Sequence, residues 1–175
     1  MTDPLFLTSD DVLQFHADQF ELSGGDPAIL DIEKFESAIA QPRMTWQGRY
    51  LHEDLSAMAA TYLFHIVQNH GFADGNKRTG LNAAIVFLEI NGFALDWPLD
   101  ETEQLVLGVA KGELGKDEVA NFIRKLINEQ YGPGALARTA NGRSHRRRVP
   151  RRRLVTGMPS PPVPSCSPGS HIRRG

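Results

Sequence analysis

The 175-residue sequence has very little cysteine and no long apolar run, and both shortages restrict what the protein can be. Its one cysteine, Cys166, cannot form an internal disulfide and lies far from any cluster of histidine or aspartate that would indicate a reactive or metal-binding thiol. No stretch approaches the roughly 18 to 20 consecutive apolar residues that span a bilayer. The N-terminus, MTDPLFLTSDD, carries acids where a secretory signal carries basic residues. We therefore expect a cytoplasmic protein with no membrane partner.

Acidic residues are missing from the last part of the chain. Residues 1–137 hold 9 Lys and Arg against all 21 Asp and Glu, whereas the remainder holds 10 Arg and no acid. That remainder is rich in Pro, Ser and Gly, and it has too little apolar surface to offset its ordering entropy. We expect one folded domain over residues 1–132 and a disordered basic tail over residues 133–175. Because the tail lacks aromatic residues that stack on bases, it offers nucleic acid only non-specific attraction to phosphates.

The spacing of apolar residues is helical almost throughout the acidic part, which indicates an all-α fold. The clearest apolar stripe spans residues 55–67, and a second stripe over residues 119–127 predicts the helix that closes the domain. Between them, residues 81–90 (LNAAIVFLEI) are apolar on nearly every side and predict a buried central helix. Further helices are expected at residues 9–22, 31–40 and about 100–111, with Thr8 or Ser9 capping the first and a short extended piece at residues 93–97.

A polar segment, HGFADGNKRT at residues 70–79, lies between two of these helices. One helix ends near Asn69 and the central helix starts near Asn76, so the segment delivers polar groups to a helix N-terminus. Unpaired backbone N–H groups and the positive end of the helix dipole favour a phosphate there. Lys77 and Arg78 add cations where the dipole favours acids, which implies an anion that neutralises them.

The other residues of this segment fit a phosphoryl-transfer site. Gly75 lets the backbone approach a ligand closely. Asp74 suits Mg²⁺, which proteins commonly hold through one or two carboxylates together with substrate phosphates. His70 can accept the proton of an attacking hydroxyl, a task for which imidazole is suited near neutral pH. Asn76 can donate its side-chain amide to a phosphate oxygen, and Phe72 is expected to anchor the loop in the core.

Each of these residues alone also has an ordinary structural explanation, such as a helix cap, a turn or a solvated ion pair. Their convergence within ten residues favours a functional site, whereas the isolated His16, His52 and His65 are interpreted as cap or surface residues. A Walker A loop is excluded because only three residues separate Gly71 from Gly75 and the preceding element is helical. The sequence contains neither an HExxH nor a CxxC pattern, so we expect no zinc site.

The segment resembles the signature of the Fic/Doc family in the residues His70-x-Phe72-x-Asp74-Gly75-Asn76-Lys77-Arg78-Thr79. The resemblance covers roughly residues 5–131 and is similar to the death-on-curing branch in the helices on both sides of the loop and at residues 108–113. It implies a compact Fic/Doc-type helical bundle, with His70 as general base and Asp74 as ligand of Mg²⁺. The residues that it assigns to binding the phosphates of ATP are Gly75, Asn76, Lys77 and Arg78.

Details within the segment bear on which reaction the resemblance implies. Standard Fic adenylyltransferases resemble HPFxxGNGRxxR, whereas this chain carries Gly71 for the proline, Lys77 for the second glycine and Leu81 for the second arginine. A lysine in the phosphate site fits the inverted ATP orientation attributed to Doc-type kinases. The resemblance thus implies transfer of the γ-phosphoryl group to a protein hydroxyl, with elongation factor Tu as target and translation arrest as outcome. An adenylyltransferase and a non-catalytic binding module are the alternatives.

Restraint of such an enzyme is expected to come from a second protein. Fic proteins often carry an inhibitory motif whose glutamate is followed by Gly or Asn, and no glutamate of this chain is. The resemblance therefore implies a toxin with a separate antitoxin, bound as an extended or helical peptide in a surface groove.

Overall fold

A computed structural model of the protein describes residues 3–139. Helices dominate this part of the chain, so the predicted all-α fold is confirmed. The helices are α1 Ser9–Ser23, α2 Ile32–Ala40, α3 Leu55–Asn69, α4 Asn76–Ile90, α5 Leu99–Ala110, α6 Lys116–Tyr131 and α7 Ala135–Thr139. A 3-10 turn at Gln41–Arg43 follows α2, and an unpredicted antiparallel hairpin pairs β1 Thr45–Trp46 with β2 Arg49–Tyr50. A bilayer-spanning helix would need more length and apolar surface than any helix between residues 3 and 139 has.

The helical region continues past residue 132, the predicted end of the domain. Ala135 of α7 is buried against the core, which extends the packed structure by a short helix. The remainder of the predicted disordered tail, residues 140–175, lies outside the described residues, and its disorder stays a prediction.

Side-chain caps explain where several helices begin. Thr8, one of the two predicted capping residues, caps α1: its Oγ1 accepts from the Asp11 N–H at 3.2 Å, and the Asp11 carboxylate accepts from the Thr8 N–H at 2.8 Å. Donation from the backbone N–H and from the hydroxyl of Thr8 holds the pKa of the Asp11 carboxyl below its ordinary value. Asp54 caps α3 by accepting from the Ala57 N–H at 2.9 Å. Each cap supplies a partner that the first turn of an isolated helix lacks.

The centre of the fold is formed by α3 and α4, which lie side by side. The sequence predicts α4 as the central helix, and the structure shows that α3 shares this position, because α3 packs against α2, α4, α5 and α6. Phe87 and Leu88 of α4 are fully buried in the core. Gly80 permits the close approach: a Cβ there would lie 2.9 Å from Val67 Cγ2 and 3.0 Å from the Leu63 carbonyl oxygen.

The segment at residues 93–97, predicted to be extended, forms no strand. Side chains of α6 instead form hydrogen bonds with its backbone. The Tyr131 hydroxyl donates to the Ala94 carbonyl and accepts from the Ala94 N–H, both at 2.9 Å. Gln130 contacts the backbone of Asp96 in the same way, at 2.7 and 2.8 Å. Two side chains at the end of α6 therefore satisfy backbone groups that a neighbouring strand would otherwise pair.

We expect Gly80→Ala to lower the free energy of unfolding by about 1 to 2 kcal/mol. The added methyl group needs space that Val67 and a backbone carbonyl occupy, and this cost exceeds the gain in helix propensity of roughly 1 kcal/mol. Urea denaturation measures the difference. Asn82→Ala, at a partly exposed position of the same helix, is the control and should change the free energy by less than about 0.5 kcal/mol. An unaltered stability of Gly80→Ala would contradict the close packing of α3 on α4.

Candidate functional site

Residues 70–75, the α3–α4 loop, connect the two central helices and contain most of the predicted site. His70 stops α3 by adopting the left-handed conformation, with φ 50° and ψ 46°. Gly75 forms the N-cap of α4 with φ 77°, a conformation that glycine adopts without strain. No described side chain caps α4, so its first turn keeps the N–H groups that bind anions at helix N-termini.

Backbone hydrogen bonds to the segment before α2 hold the α3–α4 loop in place. Leu30 donates its N–H to the Gly71 carbonyl at 2.8 Å, and Ala73 donates to the Ala28 carbonyl at 2.9 Å. These two bonds flank an antiparallel bridge at Phe72. The loop is therefore fixed by main-chain pairing that depends little on side-chain identity.

Phe72 anchors the α3–α4 loop in the core, as the sequence predicts. Its ring is only 1% exposed and lies 5.2 Å from the ring of Phe35 in α2. On its other side the ring stacks on the imidazole of His16, with 3.7 Å between centroids and an interplanar angle of 17°. The anchor thus joins the loop to both α1 and α2.

The prediction that His16 is a cap or surface residue is wrong. His16 is 2% exposed, its Nδ1 lies 2.9 Å from Thr79 Oγ1, and its Nε2 lies 3.3 Å from the Pro27 carbonyl oxygen. Burial lowers the pKa of His16 and so favours the neutral ring, although the hydrogen bond to the Pro27 carbonyl acts in the opposite direction. The sequence does contain a signal, since Val12, His16 and Phe20 recur at a spacing of four residues and all three are buried.

His52 and His65 also depart from that prediction, because both are partly buried. The Nε2 atom of His52 lies 3.2 Å from the Gln41 carbonyl oxygen, beside a cleft of ≈ 330 Å³ that Lys116 also lines. Burial and the positive charge of Lys116 lower the pKa of His65 to about 4. Both imidazoles therefore belong to the packing around α3 and the start of α6.

Asn76 uses its side chain to close the α3–α4 loop. Its Oδ1 accepts from the Phe72 N–H at 3.1 Å, and its Nδ2 donates to the Phe72 carbonyl at 2.8 Å. These two bonds satisfy partly buried backbone groups of the loop. Donation from Asn76 to a phosphate oxygen stays a prediction. It would use the second hydrogen of Nδ2 or the backbone N–H.

Charged groups of both signs gather at the start of α4. The Arg78 guanidinium lies 3.5 Å from the Asp74 carboxylate, with side chains 36% and 56% exposed. Arg78 also lies over the Phe20 ring, 5.2 Å from its centroid. Lys77 is exposed beside them. One carboxylate next to two cations and a helix N-terminus fits a phosphate group with Mg²⁺, because Mg²⁺ commonly needs only one or two carboxylates beside the phosphates.

His70 lies at the opposite end of the α3–α4 loop and is exposed. It lines a cleft of ≈ 590 Å³ between α2 and the end of α3. The other residues lining this cleft are Asp31, Glu33, Lys34, Ser37, Gln68 and Asn69. A segment of another protein can therefore approach the imidazole from the solvent side.

The structure thus brings the predicted site residues together on one loop and the helix turn that follows it. The start of α4 holds five of them, Asp74, Gly75, Asn76, Lys77 and Arg78. His70 lies at the other end of the loop, in the cleft between α2 and the end of α3, and none of those five residues lines that cleft. Their assignment as general base, metal ligand and phosphate-binding groups stays a prediction.

Comparison with known proteins places this loop in a described family. The model of the Fic/DOC family matches residues 6–88. Similar proteins include protein kinase doc of Escherichia phage P1, 34% identical over 124 residues that cover 69% of this chain and 94% of that protein. Toxin Doc of Mycolicibacterium smegmatis is 35% identical over 117 residues, which cover 66% of this chain and 88% of that protein.

We predict that Asn76→Ala destabilises the protein in the absence of any nucleotide. Truncation leaves the N–H and carbonyl of Phe72 without their partner, and each unsatisfied group costs about 1 to 3 kcal/mol when buried. Because both groups are only partly buried, a total loss near 2 kcal/mol is expected in urea unfolding. Lys77→Ala, an exposed neighbour, should change the stability by less than about 0.5 kcal/mol. Equal stability of the two variants would show that the side chain of Asn76 does not hold the loop.

Proposed function

The chain belongs to the Fic/Doc family, and from that premise we propose that it is the toxin of a toxin–antitoxin pair and acts as an ATP-dependent protein kinase. Two similar proteins support this proposal, since one is named a protein kinase and the other a toxin. The observation that carries it is the start of α4, where no described side chain caps the first turn and Lys77 and Arg78 follow the N-cap Gly75.

The phosphates of ATP bind at the first turn of α4. The backbone N–H groups and the helix dipole stabilise negative charge there, and Lys77 and Arg78 add full positive charges. Asp74 would hold Mg²⁺, whose charge would offset that of the phosphates. Arg78 and Asp74 lie 3.5 Å apart. The proposed phosphate-binding cation and the proposed ligand of Mg²⁺ are therefore next to each other.

His70 accepts the proton of the attacking hydroxyl. The hydroxyl oxygen of the target protein forms a bond to the γ-phosphorus, the bond from that phosphorus to the bridging oxygen breaks, and ADP leaves. The cleft that His70 lines gives a segment of the target access to the imidazole. General-base catalysis of this kind typically contributes about 10² to 10⁴ in rate.

Adenylyl transfer is the rival reaction on the same framework. It would transfer AMP and release pyrophosphate, with the same imidazole as base. Lys77 favours the kinase, because its side chain places charge and volume in the first turn of α4 where the adenylyltransferase pattern has glycine. A non-catalytic binding module is the third possibility, in which the loop serves only as architecture.

The partners follow from the same proposal. We propose that the target is elongation factor Tu in the cytoplasm, that its phosphorylation arrests translation, and that a cognate antitoxin restrains the enzyme. The names of the two relatives support the antitoxin, since a Doc toxin implies a partner that neutralises it.

ATP labelled at the α or the γ phosphate distinguishes the candidate reactions. Incubation of the protein with elongation factor Tu and Mg²⁺ should leave γ label, and no α label, on the target. Stable incorporation of α label would replace the kinase with an adenylyltransferase. Absence of both labels from elongation factor Tu and from a whole-cell extract would contradict any transferase.

We expect His70→Asn to lower the rate of transfer by about 10² or more, because asparagine cannot accept the proton. Asparagine tolerates the left-handed conformation that His70 adopts, so this variant tests the chemistry with little backbone strain. His70→Ala, which adds that strain, should lose activity similarly but be slightly less stable. A His70→Asn protein that transfers label and arrests growth like the parent at equal expression would refute a catalytic role for this imidazole.

A further inference from the structure

His16 connects two parts of the site that are distant in sequence. Its ring stacks on Phe72, in the α3–α4 loop, and its Nδ1 meets the hydroxyl of Thr79, in the first turn of α4. His16 comes from α1, and 63 residues separate it from Thr79. One buried imidazole therefore contacts both the loop and the helix turn to which the loop leads.

The hydrogen-bond partners of His16 determine its tautomer. The Pro27 carbonyl can only accept, so the ring proton lies on Nε2, which donates to it at 3.3 Å. Nδ1 then carries the lone pair and accepts from the Thr79 hydroxyl at 2.9 Å. Both nitrogens are thus used by a neutral ring, as its burial requires.

The surroundings of Gly75 show how a shift of His16 would reach the phosphate-binding turn. Phe20 packs edge-on against His16, with 4.8 Å between ring centroids. A Cβ on Gly75 would lie 3.0 Å from Phe20 Cζ and 3.4 Å from His16 Cε1. Phe20 also carries the guanidinium of Arg78 on its face. The two rings therefore form the surface on which the cap of α4 rests.

We propose that His16 is a positioning residue, which fixes the distance and angle between His70 and the first turn of α4 by holding Phe72 and Thr79 at the same time. This inference rests on the proposed function, since it assigns His16 a part in that transfer. His16 itself does not need to touch the substrate. Its effect on the rate arises because displacements of about 1 Å in a catalytic group reduce turnover by up to about 10².

Three variants test the hydrogen bond between His16 and Thr79. His16→Phe keeps a ring for stacking and removes both hydrogen bonds, whereas Thr79→Val keeps the shape of the threonine and removes its hydroxyl. The double variant removes both partners together. Thr79→Ser retains the hydroxyl and serves as the conservative variant that should restore function. His52→Phe is the matched control, because His52 also lies between a backbone carbonyl and a threonine hydroxyl but near the start of α6.

Two readouts separate positioning from a general loss of stability. One is label transfer from ATP, with kcat and KM measured well below the unfolding temperature of each variant. The other is hydrogen exchange at the backbone amides of Phe72 and Ala73, which are hydrogen-bonded in the α3–α4 loop. Exchange is measured without nucleotide, so it reports on the order of the loop even in a protein that transfers nothing.

We expect His16→Phe and Thr79→Val each to lower kcat about tenfold, with KM for ATP changed by less than about threefold. Both should accelerate exchange at the two loop amides about tenfold. The double variant should be no worse than the more affected single variant, because the hydrogen bond between His16 and Thr79 is already missing from each single variant. Thr79→Ser and His52→Phe should stay within about twofold of the parent in both readouts.

Three results would overturn the proposal: parental kcat and loop exchange in His16→Phe, multiplied losses in the double variant, or an equal loss in His52→Phe. Failure of the proposed function gives a different pattern, in which the parent transfers neither label. Loop exchange then still decides, since unchanged exchange in His16→Phe refutes the positioning role and accelerated exchange supports it.

Discussion

The first turn of α4 needs partners for its backbone N–H groups, and the residue at its cap, Gly75, has no side chain to supply one. A turn of this kind attracts an anion, because the unpaired N–H groups and the helix dipole act in the same direction. Two cations within the same turn, Lys77 and Arg78, strengthen that attraction. The proposed chemistry depends on this turn staying open, and the nearby structure is arranged so that no described side chain caps it.

Rigidity around the open turn comes from four sources that act on different atoms. Main-chain pairing with the segment before α2 fixes the backbone of the α3–α4 loop, and the side chain of Asn76 bonds both polar backbone groups of Phe72. The ring of Phe72 is in turn enclosed by Phe35 and His16. Close contact of α3 and α4 at Gly80 prevents the two helices from sliding apart under the loop. The groups proposed to bind a ligand are thus held in place without one, which would reduce the entropy cost of binding.

Much of this arrangement is local and could be predicted from the sequence. The helices follow the spacing of apolar residues, and the cap of α1 is one of the two residues that the sequence suggests, Thr8 or Ser9. The loop stands out because several polar groups precede one buried helix. The role of His16 could not be predicted in the same way, because its partner Thr79 lies 63 residues away and the contact depends on how α1 packs on α4. The cleft beside His70 is likewise formed by α2, an element distant in sequence. The short hairpin after α2 has strands of two residues, which are too brief to produce a periodic signal.

Binding of ATP at the start of α4 can be measured directly by the backbone amide chemical shifts of the ¹⁵N-labelled protein during titration with ATP and Mg²⁺. The largest changes in chemical shift are predicted at Gly75, Asn76, Lys77 and Arg78. Little change is expected at the second cleft, the one that His52 and Lys116 line. Shifts centred on that second cleft, or no saturable shifts at the start of α4, would contradict the assignment of this helix turn as the phosphate site.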